Sequence, residues 1–147
     1  MSESNAESPL RLRRLAEFRY QLRKFLSVSE AISDRAGISV QQYQLLQVVA
    51  TVPEDRGASI SYLAERMFLR HNSAVELVDR AVRSGLVQRQ SDEEDLRRSL
   101  VVLTPEGSAI LEQLVAAHLA ELDKNGNTIM RAMELLLASG RRPREPK

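Results

Sequence analysis

The stretch from residue 59 to residue 104 constrains the fold most, because its apolar periodicity changes from helical to strand-like. A short helix capped by Ser59 and a helix over His71–Ser84 come first, joined by a tight turn that lacks the usual glycine. Two strand-like runs follow, Leu86–Gln90 and Ser99–Leu103, with a long polar tip between them. This order predicts a helix-turn-helix followed by a β-hairpin.

Long helical patterns lie on both sides of this stretch. A seam of apolar residues from Leu15 to Phe25 predicts a first helix that ends at Gly37. Ser39 and Gln42 form a capping box, which predicts the start of a second helix.

The C-terminal pattern predicts two further helices. Thr104 caps the fifth helix, with Pro105 at its first position. Asn125 and Gly126 are expected to break the helical pattern, so that a sixth helix runs over residues 127–139.

The predicted fold class is mainly α with a small β-hairpin, a winged helix-turn-helix between terminal dimerisation helices. The terminal helices carry more apolar surface than one small core needs, which favours a homodimer, the alternative being that they pack only on their own chain. The predicted segments are a disordered N-terminus (1–8), an N-terminal dimerisation helix (9–37), a DNA-binding domain (38–104), C-terminal dimerisation helices (105–140) and a disordered basic tail (141–147).

The composition excludes several kinds of chemistry. The 147 residues include no cysteine, which excludes disulfides and thiol catalysis, and two histidines leave little for a zinc site. Because no nucleophile–base pair, phosphate-binding glycine loop or metal cluster is found, we expect neither an enzyme nor a cofactor or metal. No apolar run could span a bilayer and no signal peptide is evident, so we expect a cytoplasmic protein without a membrane partner.

The fourth helix is the first candidate DNA-binding element. Its apolar residues Ala74, Leu77, Val78 and Ala81 cluster on one side, so the opposite side could enter a major groove. The alternative is that this side is an ordinary solvent-exposed face, with ion pairs between residues four apart, Glu76 with Arg80 and Asp79 with Arg83. The candidate contacts are Arg70, His71, Asn72, Ser73, Val75, Glu76 and Arg80.

The hairpin tip is the second candidate. Residues 91–98 read SDEEDLRR, and Asp95 can orient the guanidinium of Arg97 so that it enters a minor groove, with Arg98 toward the DNA backbone. The alternative is a solvated charged turn. Residues 59–104 hold seven arginines and seven acids, so DNA contact would depend on where the charges lie rather than on a general basic field.

The stretch ISYLAERMFLRHNSAVELVDRAVRSGLVQRQSDEEDLRRSLVVLTPEGSAIL, residues 60–111, resembles the MarR family of bacterial and archaeal transcriptional regulators. The motifs that carry the resemblance are LAERM, S-A-V-x-L-V-D-R, S-G-L-V, the D-x-R of Asp95 and Arg97, and L-T-P-E-G. Two residues depart from the family pattern, Glu76 and Val75, which affects the expected operator preference, and the lack of cysteine removes the peroxide-sensing branch as a guide.

The resemblance implies a homodimer that binds double-stranded DNA through the fourth helix and the hairpin. It also implies a small effector, often aromatic, bound between the dimer and DNA-binding regions, with Phe18, Arg19, Tyr43 and His118 as candidate pocket residues. The leading hypothesis is a repressor of a pseudo-palindromic operator that the effector releases. The alternative is a winged-helix protein-interaction module without sequence-specific DNA binding.

Overall fold

The computed structural model describes residues 9–141, so the predicted disorder at residues 1–8 and 142–147 lies outside the described residues. Five helices and one antiparallel hairpin are present in this range, and the predicted fold class is confirmed. The elements are α1 (Pro9–Arg35), α2 (Val40–Ala50), α3 (Ile60–Met67), α4 (His71–Arg83), β1 (Val87–Ser91), β2 (Ser99–Leu103) and α5 (Pro105–Ser139).

The chain divides into two compact units. One unit consists of the described residues up to Ser29 and from His118 onward, and the other is Glu30–Ala117. Within the part of the chain that the structure describes, no helix is long and apolar enough to cross a membrane.

The helix ends of the second unit follow local capping rules. Ser39 and Gln42 form both hydrogen bonds of the predicted capping box at the start of α2, each at 3.1 Å. Ser59 accepts a hydrogen bond from the Tyr62 backbone N–H and caps α3. Gly37 has a φ of +79°, the left-handed conformation that glycine adopts at little cost, and this allows the chain to turn after α1.

The core of the second unit joins α2, α3, α4 and the start of α5. Leu45, Leu46, Leu63, Val78 and Leu114 are almost completely buried there. Burial of these side chains removes apolar surface from water, which is the main favourable contribution to folding.

The hairpin consists of β1, β2 and residues 92–98 between them, and we call it the wing. Its base is anchored to this core. β1 and β2 pair in register from Val87 opposite Leu103 to Ser91 opposite Ser99. Val87 and Val101 are buried, and the Val101 backbone N–H donates to the carbonyl of Ala58 at 2.9 Å. The base of the wing is therefore held both by packing and by a hydrogen bond on the outer edge of β2.

The predicted break at Asn125–Gly126 is wrong, because α5 is one continuous helix of 35 residues. The Asn125 side chain donates to Glu121 at 2.7 Å, and Thr128 Oγ donates to the Asn125 carbonyl at 2.8 Å. These bonds lie along the helix and do not compete with it. A glycine inside a helix costs only ~1 kcal/mol relative to alanine, too little to interrupt a helix this long.

The first turn of α5 closely approaches Leu86, in the segment between α4 and β1. Thr104 caps α5 as predicted by accepting a hydrogen bond from the Gly107 backbone N–H at 3.0 Å, while the Thr104 backbone N–H donates to the Leu86 carbonyl at 3.1 Å. A Cβ at position 107 would collide with that same Leu86 carbonyl oxygen. Only glycine fits here.

We predict that Gly107→Ala lowers the free energy of unfolding by about 1–3 kcal/mol, because the backbone must shift to relieve the collision. Urea unfolding followed by circular dichroism measures this change. The matched control is Gly126→Ala, where an added Cβ meets only Leu122 at 3.7 Å and should stabilise α5 by about 0.5–1 kcal/mol. Equal effects of the two substitutions would contradict the proposed close contact.

Candidate nucleic-acid interface

Helix α4 buries one face and exposes the other, as its periodicity predicts. Ala74, Leu77, Val78 and Ala81 are buried in the core of the second unit. Of the candidate contact residues, Val75 is partly buried and the others are exposed: Arg70, His71, Asn72, Ser73, Glu76 and Arg80. The packing of α4 thus leaves a polar surface of a size that could enter a major groove.

The start of α4 adds positive character to this surface. Arg70 is the N-cap residue and makes no side-chain cap hydrogen bond, and His71 begins the helix. The backbone N–H groups of a first helical turn carry partial positive charge, so they favour anions such as phosphate.

The charge of α4 is altered by a contact that helical spacing did not reveal. The carboxylate of Asp79 forms an ion pair with Arg89 of β1 at 2.8 Å, whereas the alternative interpretation of this face pairs it with Arg83 on the same helix. Both side chains are about 40% exposed, at 40% and 39%, so the pair stabilises the fold by only ~0.2–1 kcal/mol. Its consequence is local: it compensates one acid on α4 and connects that helix to the wing.

The tip of the wing is a tight turn built on Asp95. The Asp95 side chain accepts hydrogen bonds from the Arg97 backbone N–H at 3.1 Å and from Arg97 Nε at 3.4 Å. The Asp95 carbonyl accepts from the Arg98 N–H at 2.9 Å, which closes the turn. The Arg97 side chain remains 93% exposed, so Asp95 orients a cation that projects into solvent.

The other acidic residues of the tip, Asp92, Glu93 and Glu94, lie on one side of the wing. Asp92 accepts a hydrogen bond from the Glu94 N–H at 3.0 Å, and its backbone N–H donates to the Arg98 carbonyl at 3.1 Å. An open groove lies between the wing and the loop that follows α2. It is lined by residues that include Glu54, Asp55, Arg56, Asp92, Glu93, Glu94 and Arg98. These acids therefore gather with Arg98 on one side of the wing.

The four candidate pocket residues belong to different compact units. Phe18 is half-buried, Arg19 is exposed and His118 is buried, all in the unit that contains the chain ends. Tyr43 is buried in the other unit, where burial raises the pKa of its phenol above the ordinary value. The pocket that these four residues would form stays a prediction.

Two residues with unusual surroundings, Ser29 and Phe68, were not predicted from the sequence. Ser29 Oγ lies 2.7 Å from His118 Nε2, and both side chains are buried, which explains why a histidine occurs on this face of α5. Phe68, in the turn between α3 and α4, is 97% exposed and has a φ of +54°, so it occupies the left-handed position that a glycine usually fills. The absence of glycine from that turn was the only signal in the sequence.

Comparison with known proteins gives related sequences. A family model, that of the MarR family, matches residues 36–98. A proposed transcriptional regulatory protein for the hcr operon of Thauera aromatica is 31% identical over 99 residues, covering 67% of this chain and 58% of the relative. The HTH-type transcriptional repressor YetL of Bacillus subtilis (strain 168) is 30% identical over 86 residues, covering 58% of this chain and 51% of the repressor. The chain thus aligns with just over half the length of these relatives.

Solved structures show the same fold. A crystal structure of a MarR family transcription regulator has a TM-score of 0.72 at 23% identity, covering 86% of this chain and 85% of that one. A MepR mutant of S. aureus bound to an oligodeoxyribonucleotide has a TM-score of 0.60 at 20% identity, covering 85% of this chain and 81% of the MepR chain. CouR of Rhodococcus jostii RHA1 bound to p-coumaroyl-CoA has a TM-score of 0.64 at 24% identity, covering 83% of this chain and 88% of the CouR chain.

The motifs, the fold and the matched family model agree. The relatives are named as regulators of transcription, in line with the expectation that the chain is not an enzyme. On these grounds the region of residues 36–98 belongs to the MarR family.

Proposed function

We propose that this protein is a homodimeric transcriptional regulator, a repressor that binds a pseudo-palindromic DNA operator in the cytoplasm. The observation that carries the proposal is the wing turn, in which Asp95 orients an almost fully exposed Arg97. A guanidinium on a projecting hairpin suits the narrow minor groove, where the electrostatic potential is most negative.

The exposed side of α4 supplies the second DNA contact in this proposal. Asn72 can pair with adenine, Glu76 can accept a hydrogen bond from cytosine, and Val75 can contact a thymine methyl group. Arg70 and His71 would contact phosphates or base edges at the helix start. Support for this mode comes from the related MepR mutant, which is described as bound to an oligodeoxyribonucleotide.

The dimer is supported by apolar side chains that a single chain leaves in water. Several lie on the N-terminal part of α1 and the C-terminal part of α5, and their burial against a two-fold partner would contribute ~25 cal/mol per Å². The exposed ones are Leu10, Leu12, Leu15, Tyr20, Leu26, Leu119, Leu122, Met130, Met133 and Leu137. Two-fold symmetry would set two α4 helices about one DNA turn apart, and an operator bound in this way would be pseudo-palindromic.

Arg97→Ala tests the DNA-binding part. We expect roughly 10–100-fold weaker binding and a salt dependence of log K reduced by about 0.9, because one cation that displaces counterions from the duplex is lost. Fluorescence anisotropy with a duplex that the protein selects from a random-sequence pool measures both quantities. Arg35→Ala is an equal change of charge at an exposed site in the last turn of α1, away from the exposed apolar residues of its N-terminal part. It is the control and should bind like the parent.

Two outcomes would count against DNA binding through the wing. Failure of the unmodified protein to enrich any duplex at low salt would favour the protein-interaction alternative. Parent-like binding by Arg97→Ala would remove the role of the wing arginine.

Met130→Glu tests the dimer. Met130 is largely exposed in the single chain, so a charge there should leave the folded chain intact. The same charge, buried without a partner in the proposed dimer interface, should separate the two protomers. Sedimentation velocity is expected to show a dimer for the parent and a monomer for the variant. Phe68→Glu, which puts the same charge on an exposed apolar residue of α4's preceding turn, should remain dimeric. A monomeric parent would contradict the proposal.

An effector that releases the DNA is the remaining part of the proposal. Support comes from the family and from CouR, which is described as bound to p-coumaroyl-CoA. We expect a small aromatic ligand to lower the anisotropy of the protein–DNA complex, and His118→Phe to weaken that response while DNA binding is retained. A complex that persists with every aromatic acid and thioester tested would argue against release by this ligand class.

A further inference from the structure

The turn that presents Arg97 also presents a leucine. Leu96 and Arg97 are the two central residues of the turn that the Asp95–Arg98 hydrogen bond closes. Leu96 is 82% exposed. Because the same hydrogen bonds fix the backbone of both residues, Leu96 is held beside Arg97 in the turn at the tip of the wing.

A leucine is an unexpected residue in this position. Turn residues are usually polar, and this tip is otherwise made of charged residues and serine. A single exposed leucine needs no explanation on an ordinary surface. Here, however, it lies next to the side chain proposed to enter a minor groove, where its only possible contacts are apolar because it has no donor or charge.

We infer that Leu96 is a second minor-groove contact, which packs against the deoxyribose wall of the groove while Arg97 reaches inward. This inference rests on the proposed function, and it adds an apolar contact to an ionic one. Proteins that bind the minor groove often place apolar side chains, leucine among them, in the groove as wedges between base steps. The contact inferred for Leu96 uses the same apolar character against the sugar C–H groups of the groove wall, without unstacking the bases. Such a contact strengthens binding without displacing counterions from phosphates.

Salt dependence separates the two contacts. Leu96→Ala is expected to weaken binding about five- to tenfold at every salt concentration, because apolar contact is lost. Its slope of log K against log salt should equal that of the parent, whereas the slope for Arg97→Ala should fall by about 0.9. The melting temperature of Leu96→Ala should not change, because the side chain is exposed in the free protein.

Two matched variants test the chemistry of the side chain. Leu96→Met keeps an apolar chain of similar volume and should bind like the parent, while Leu96→Gln, similar in length but polar, should resemble Leu96→Ala. All variants are measured as full-length protein on one duplex selected by the parent from a random-sequence pool.

The outcomes distinguish this inference from the proposed function. Parent-like affinity of Leu96→Ala together with weakened Arg97→Ala overturns the role of Leu96 and leaves the function standing. A lower salt slope for Leu96→Ala also overturns it, since an apolar contact cannot change that slope. If the parent selects no duplex, both the function and the leucine contact are wrong.

Discussion

A two-stranded hairpin is not stable in water by itself, so the wing depends on how its base is attached. Val87 and Val101 are buried in the core of the second unit, and the Val101 N–H donates to the carbonyl of Ala58. The salt bridge from Arg89 to Asp79 connects the wing to α4. With the base attached in this way, the tip can project without packing against other parts of its own unit, and the proposed contacts of Leu96 and Arg97 become geometrically possible.

Charge placement, rather than total charge, distinguishes this surface. The net charge of the chain is +1, so long-range attraction to DNA is weak. Asp79 is compensated by Arg89, Asp95 is used to orient Arg97, and Asp92 accepts a backbone hydrogen bond within the tip. These acids have partners of their own, which reduces their repulsion of phosphate.

Local signals in the sequence predicted the elements well. The capping residues Ser39, Ser59 and Thr104 each cap the helix that they were expected to begin, because a cap needs only neighbours three residues away. The buried face of α4 followed from helical periodicity alone. The Asp95–Arg97 contact was also predictable, since the two residues are two positions apart.

The features that were missed depend on distant parts of the chain or on competition between effects. Arg89 reaches Asp79 only because β1 folds back beside α4, and Ser29 meets His118 across a sequence separation of 89 residues. The continuous α5 was missed because asparagine and glycine are poor helix formers, yet their small cost does not outweigh the hydrogen bonds of a long helix. The candidate effector residues have no local pattern to connect them.

The most direct measurement of the central claim uses the absence of cysteine from the chain. A single Glu93→Cys substitution, at an exposed site in the wing tip, can carry an iron chelate that cuts nearby DNA while Arg97 is left intact. Two wings of a dimer that enter the minor groove should cut the selected duplex at two minor-groove positions, symmetric about its centre. Cleavage at one position, or spread evenly along the duplex, would contradict this account.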